Sequence, residues 1–285
     1  MEIKYLSFGN LTLKLELPSK LLKTEDCECF FCEERPCDFV FCFRFAEEAL
    51  EPPKSALKRE DGNRLVCLDG ERRSVYYKAA APGTYFAVRE NAGEKEFSVK
   101  LSKGARGKLW ARLVLNCLGV EELAARKNGF VFHSSFVKMG ENALLFTGPC
   151  GIGKSTQARL WSSLRGTETV NGDKTLIYLE NGRVFASGLP FSGSSKISRN
   201  EKALLRAVVS LKKGSENKAR PLGSQEAFRC LMKSAYVPFG FGDEISRTLA
   251  ETAERVLFFF LECTPDEGAV RELERMMKGC ESFEF

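Results

Sequence analysis

Gly148-Pro149-Cys150-Gly151-Ile152-Gly153-Lys154-Ser155 follows the pattern G-x-x-x-x-G-K-[ST] at every position. No other stretch restricts the folding of this chain as much. The pattern requires an apolar strand that ends on a glycine-rich turn, and a helix that starts at the lysine. Both flanks comply: residues 143–147 (Ala-Leu-Leu-Phe-Thr) read as the strand and Lys154 to Leu164 as the helix. Glycines let successive backbone N–H groups turn inward around phosphate oxygens, and the helix N-terminus adds partial positive charge. Lys154, expected to stand exposed to ligand, would reach the β- and γ-phosphates of ATP, Ser155 would help hold Mg²⁺, and Thr156 would contact an earlier phosphate. The motif leaves open what happens to the γ-phosphate.

Asp173 narrows that question. It lies at a strand edge nineteen residues after Lys154, in the stretch Asn171-Gly172-Asp173. A carboxylate there binds Mg²⁺ or accepts a hydroxyl proton, unless Asn-Gly-Asp is present only for its bend. The chain's single histidine, His133, sits on a strand ahead of the loop. A short hairpin through Gly140-Glu141-Asn142 returns that strand beside the one entering the loop, so the ring comes within reach of the γ-phosphate. The bland alternative is a histidine packed into the core. Further on, Ser194, Ser195, Lys196 and Arg199 form a candidate phosphate- or substrate-binding loop, the alternative being a solvated basic turn.

The order His, hairpin, phosphate loop, acid resembles the HPr kinase/phosphorylase family, whose P-loop kinase domain shares its lineage with ATP-dependent phosphoenolpyruvate carboxykinase. The likeness covers about residues 107–265. It implies a phosphotransferase acting on the serine of a protein or peptide, or on a small molecule, with His133, Lys154 and Asp173 catalytic, Ser155 and Asp173 at the metal, and ATP and Mg²⁺ as cofactors. A homo-oligomer is compatible with it. The family generally carries two adjacent acids where this chain has Gly172-Asp173. Three readings stay open there: Asp173 takes both roles, His133 becomes the base, or transfer is lost and the chain is a nucleotide-binding regulator. The family's glycine-rich phosphorolysis signature has no counterpart around residues 184–193, so neither phosphorylase activity nor the phosphocarrier substrate is expected. A small-metabolite kinase of the shikimate type is the other alternative, although 147 residues precede Gly148 here.

Residues 1–104 read as a β-rich domain, with period-two alternation at 3–5, 11–15, 39–45 and 85–87 and turns at Asp61-Gly62, Asp69-Gly70 and Pro82-Gly83. Residues 105–285 read as the P-loop domain with a mixed sheet, after a basic junction at 102–107. There, a leucine pattern from Leu109 to Arg126 predicts a helix stopped by Gly129, and further helices are predicted at 201–206, 224–234, 243–254 and up to Lys278. The fold class expected is α+β or α/β. A formal charge of +5 permits an anionic ligand but offers no basic, aromatic-laced block for nucleic acid. No apolar run is long enough for a membrane span, and the N-terminal stretch lacks a signal-peptide layout. Eleven cysteines in that setting point to the cytoplasm. Five of them, Cys27, Cys29, Cys32, Cys37 and Cys42, offer half a zinc site in Cys29-x-x-Cys32. Without a second ligand pair, core packing is the expectation.

Overall fold

The computed structural model describes residues 1–18, 21, 27–81, 83–103, 110–193 and 195–280. It is a mixed α/β structure with two mixed sheets and a β-rich N-terminal region. Two compact units divide it: Met1–Ser7, Leu11–Val120 and Pro238–Gly240 form one, and Phe8–Asn10, Glu121–Val237 and Phe241–Phe285 the other. Residues 104–107 of the expected junction, Pro82 and Leu109 lie outside the described residues.

In the first unit, β1 (Glu2–Phe8), β2 (Leu11–Leu17), β3 (Phe31–Cys32), β4 (Phe39–Phe45), β5 (Leu57–Asp61), β6 (Arg64–Asp69), β7 (Arg72–Lys78), β8 (Tyr85–Asn91) and β9 (Glu96–Leu101) build one sheet. Its order is β3-β1-β2-β4-β9-β8-β7-β6-β5. Alternation sorts the side chains by face: Leu11, Leu13, Leu15 and Leu17 are buried on β2, and Phe39, Phe41 and Phe43 on β4. Phe41 stacks on Phe97 of β9 with ring centres 4.7 Å apart. The same alternation corrects the packing expected of the cysteines. Cys42 falls on the face of β4 opposite the phenylalanines, Cys29 is exposed, and Cys32 and Cys37 are half-buried, so of the five only Cys27 is buried. Among the described residues no three His, Cys, Asp or Glu side chains gather as a metal site. No helix among them is long and apolar enough to cross a membrane.

The predicted helix after the junction is two: α1 (Trp110–Cys117) and α2 (Val120–Arg126). Gly119, at φ 60°, breaks them, and a Cβ there would fall on the buried guanidinium of Arg89. Gly129 is not a helix stop but the first residue of a strand; the left-handed residue that ends α2 is Asn128, at φ 52°.

The second unit comprises β10 (Gly129–Met139), β11 (Asn142–Thr147), α3 (Lys154–Arg165), β12 (Glu168–Asn171), β13 (Lys174–Glu180), β14 (Arg183–Ser187), β15 (Lys202–Lys213), β16 (Lys218–Pro221), α4 (Ser224–Ser234), α5 (Gly242–Arg255), β17 (Leu257–Cys263) and α6 (Glu267–Lys278). Their sheet runs β11-β10-β13-β14-β15-β17-β16, with β12 on β10 and a further parallel pairing of β11 with β15. β15 is also parallel to β17, so Thr147, Ser210 and Phe260 sit abreast near the carboxyl ends of three parallel strands. Such an edge is where open α/β sheets bind ligands. α4 and α5 cover one face through Leu231, Ile245 and Leu249; α3 and α6 cover the other through Trp161, Val270 and Leu273.

The helix predicted at 201–206 is wrong: that segment opens β15. Ala, Leu and Arg carry helix propensity, but it is weak beside burial between two strands. The pairing with β11 skips Arg206, and this bulge changes the phase of the strand. Ala203, Leu205 and Val208 therefore pack under α4 and α5, while Ala207, Val209 and Leu211 pack under α3 and α6.

Candidate active site

The turn between β11 and α3 needs its glycines. Gly148, Gly151 and Gly153 have φ of 142°, 73° and 120°, a region side chains disfavour. Pro149, Cys150 and Gly151 are exposed, Ile152 turns into the core under α3, and the Ser155 side chain is exposed at the start of that helix. Thr156 is half-buried. Lys154 corrects the expectation of exposure. It is 7% exposed, and its Nζ donates to the carbonyls of Gly148 and Pro149 at 2.9 and 3.2 Å. Burial holds this ammonium below the ordinary lysine range, against the pull of Cys150 and Asp173.

His133 is fixed by both neighbours of β10. It stands opposite Lys174 on β13, while the next residue, Ser134, stands opposite Thr147 on β11. Its Nδ1 lies 3.0 Å from the main-chain oxygen of Asp173 and 3.6 Å from that residue's Oδ1. That oxygen, which also takes the Ser134 N–H at 3.1 Å, can only accept, so a neutral ring bonded to it carries its proton on Nδ1 and its lone pair on Nε2. Burial, with Lys154 adding to it, holds the ring's pKa below the ordinary histidine value despite Asp173. The ring is therefore neutral at pH 7. It is not core packing: 28% of the side chain is exposed, and it lines a cleft of about 690 Å³ that reaches the start of the phosphate loop at Gly148 and Pro149.

Asp173 owes its place to a residue the sequence reading passed over. Asn171 is fully buried, and its Oδ1 accepts the N–H groups of Asp173 and Lys174 at 3.0 and 3.1 Å. Its Nδ2 donates to Phe191 O at 3.0 Å. Ser135 Oγ donates to Gly172 O at 3.0 Å. Asn-Gly-Asp is thus a bend made by its own asparagine, which fixes the main chain at Asp173.

The loop after β14 lies directly on this bend. A Cβ on Gly172 would fall 2.3 Å from Ser195 Oγ, and one on Gly193 would fall 2.6 Å from Asp173 Cγ. Gly172 is there for room, and Ser195 fills the space that a side chain at 172 would need. Gly172→Ala is expected to cost on the order of 1–3 kcal/mol, as overpacking does. Adding Ser195→Gly should return most of that, which paired thermal melts would measure; equal melting of Gly172→Ala and the parent would contradict the contact. Lys196 stands exposed with φ 54°, strained for a residue with a side chain. Arg199 is not brought in: its guanidinium pairs with Glu168 Oε2 at 2.9 Å. Ser194 lies outside the described residues.

The end of α4 closes the cleft. Thr147 Oγ1 lies 2.9 Å from both His133 O and Ser234 Oγ, and Tyr236 N donates to Val131 O at 2.9 Å. Lys174 Nζ sits 4.5 Å from the centre of the Tyr236 ring. Nothing local in the sequence marks Thr147, Ser234 or Tyr236, because only the sheet brings them to His133.

The oxygens present suit Mg²⁺. The Ser155 hydroxyl and the Asp173 carboxylate are hard ligands, and Mg²⁺ commonly takes one or two protein oxygens and completes its sphere with phosphates and water.

No protein-family model matches the chain, and no curated protein matches it in sequence. Among solved structures, the Hpr(Ser) kinase/phosphatase from Coxiella burnetii is a weak structural neighbour at 14% identity and TM-score 0.33, covering 53% of this chain and 94% of that one.

Proposed function

We propose that the chain transfers the γ-phosphoryl group of ATP to a hydroxyl, as an HPr-kinase-like phosphotransferase. One observation carries this reading: His133, its Nδ1 at the main-chain oxygen of the candidate metal acid, lines a cleft that includes Gly148 and Pro149 of the phosphate loop. In the reaction the acceptor oxygen attacks the γ-phosphorus, the bond to the β-γ bridging oxygen breaks, and ADP leaves. The hydroxyl proton passes to His133 Nε2. Lys154 exchanges the loop carbonyls for the β- and γ-phosphate oxygens, at small cost because its donors are satisfied in both states. Asn171 fixes the main chain of Asp173. Ser155 and Asp173 would hold Mg²⁺, which would supply charge neutralisation at the phosphates.

The regulator reading draws on Gly172, where a second acid would stand in a kinase of this type. Labelled ATP with Mg²⁺ and a fractionated cell extract separates the two. A kinase yields a labelled acceptor, and the label is lost in Asp173→Asn. A regulator binds ATP in the same buffer and labels nothing.

A further inference from the structure

From the α4 side of the cleft, we infer an anion subsite made by Arg229 and Lys233, which selects an acceptor carrying a phosphate or carboxylate beside its hydroxyl. Thr147, Ser210 and Phe260 form the floor, and four charged side chains line the walls. Two of these cancel: Arg220 grips Glu226 through both guanidinium nitrogens, at 2.8 and 3.1 Å. The other two are left over: Arg229 lies within the field of Glu226 but bonds only through Nε, to Gln225 O of its own helix at 3.2 Å, and Lys233 makes no ion pair among the described residues. Four residues apart on α4, they present two cations on one helical face. Lys233 lies in the last turn, where the helix end by itself would repel an anion. The cleft at this corner is therefore positive.

The occupant follows from the lining of the cleft, and to that extent the inference rests on the phosphotransferase reading. The nucleotide's phosphates belong to the loop and the N-terminus of α3, which leaves the ground between His133 and α4 to the acceptor. A volume of about 690 Å³ suits a small molecule or a short peptide segment. Charge-assisted bonds from Arg229 and Lys233 would hold the anionic part and leave the hydroxyl at Nε2.

Calorimetric titration with Mg·ADP present tests the subsite without requiring turnover. Glycerol 3-phosphate is compared with glycerol, and acetyl-Asp-Ser-Asp-amide with acetyl-Ala-Ser-Ala-amide. The expected result is at least tenfold tighter binding of one anionic probe than of its neutral partner, weakening with salt. Arg229→Gln and Lys233→Gln should each lose about threefold to tenfold of that preference, and Lys233→Glu more. Both side chains are exposed and glutamine keeps helix propensity, so the Mg·ADP affinity of these variants reports an intact fold. Dependence on the two cations with glycerol 3-phosphate assigns a small acceptor; with the acidic peptide it assigns a peptide one. Equal binding of anionic and neutral probes, variants that bind like the parent, or variants that lose Mg·ADP instead would each overturn the subsite. Anion binding that persists in a protein unable to bind nucleotide or transfer label would overturn the kinase reading and leave the subsite standing.

Discussion

Lys154→Ala is expected to lower the proposed phosphoryl transfer by at least a hundredfold and to weaken Mg·ATP-analogue binding by about tenfold to a hundredfold, the range for losing two charge-assisted bonds to phosphate. Burial of this lysine raises the question of whether the loop collapses without it. It should not. The orphaned oxygens belong to Gly148, which is half-buried, and Pro149, which is exposed, so water can replace the ammonium. A loss of no more than about 1 kcal/mol of stability is expected. Titration with a non-hydrolysable analogue, beside a thermal melt, is the measurement. Unchanged affinity would remove the lysine from the nucleotide site; a melt lowered by many degrees would make its bonds to the loop structural.

His133→Gln lowers turnover by about 10² to 10⁴, the worth of a positioned general base, and leaves nucleotide affinity near normal. The fold should tolerate it, since a glutamine amide can still donate to Asp173 O and the side chain is partly exposed. The pH dependence is the more specific readout. With its folded pKa lowered by burial, the ring keeps its lone pair at neutral pH, and the acid limb of kcat/KM lies below the ordinary value of about 6.5. That limb should vanish in the variant. Stability carries the same sign. Between the folded and unfolded pKa values the unfolded chain binds more protons at this residue, so its contribution is complete above about pH 6.5 and is lost as pH falls toward the folded value. Melting of the parent should therefore fall more on mild acidification than melting of His133→Gln. A destabilised variant with undiminished turnover and an unchanged acid limb would make His133 a packing residue.

What could be read before folding was whatever depends on neighbours in the chain. Gly148 to Ser155 announces its own conformation, because three left-handed glycines and a helix start are local requirements, and the strand–loop–helix context lies within twenty residues. The strands of the first unit were legible for a similar reason: period two along Leu11–Leu17 and Phe39–Phe45 already states which face is buried. Even the pairing of the strand that carries His133 with the strand that enters the loop followed from a short hairpin.

Long-range partners decided the rest. Residues 202–206 look helical in isolation and become a strand because β11 and β14 both pair with them, and a ladder buried on both faces outweighs a few tenths of a kcal/mol of propensity per residue. Gly172 reads as a missing acid until Ser195, 23 positions away, is found in the space of its side chain. Asn171 passes for a turn residue until its buried amide is seen bonding the acid's own N–H and the Phe191 carbonyl. The cations of α4 give no sign in one dimension that they face His133. Motif and period are properties of covalent neighbours and survive in the bare chain; the company a side chain keeps depends on which strands pair, and that comes into being only when the sheet closes.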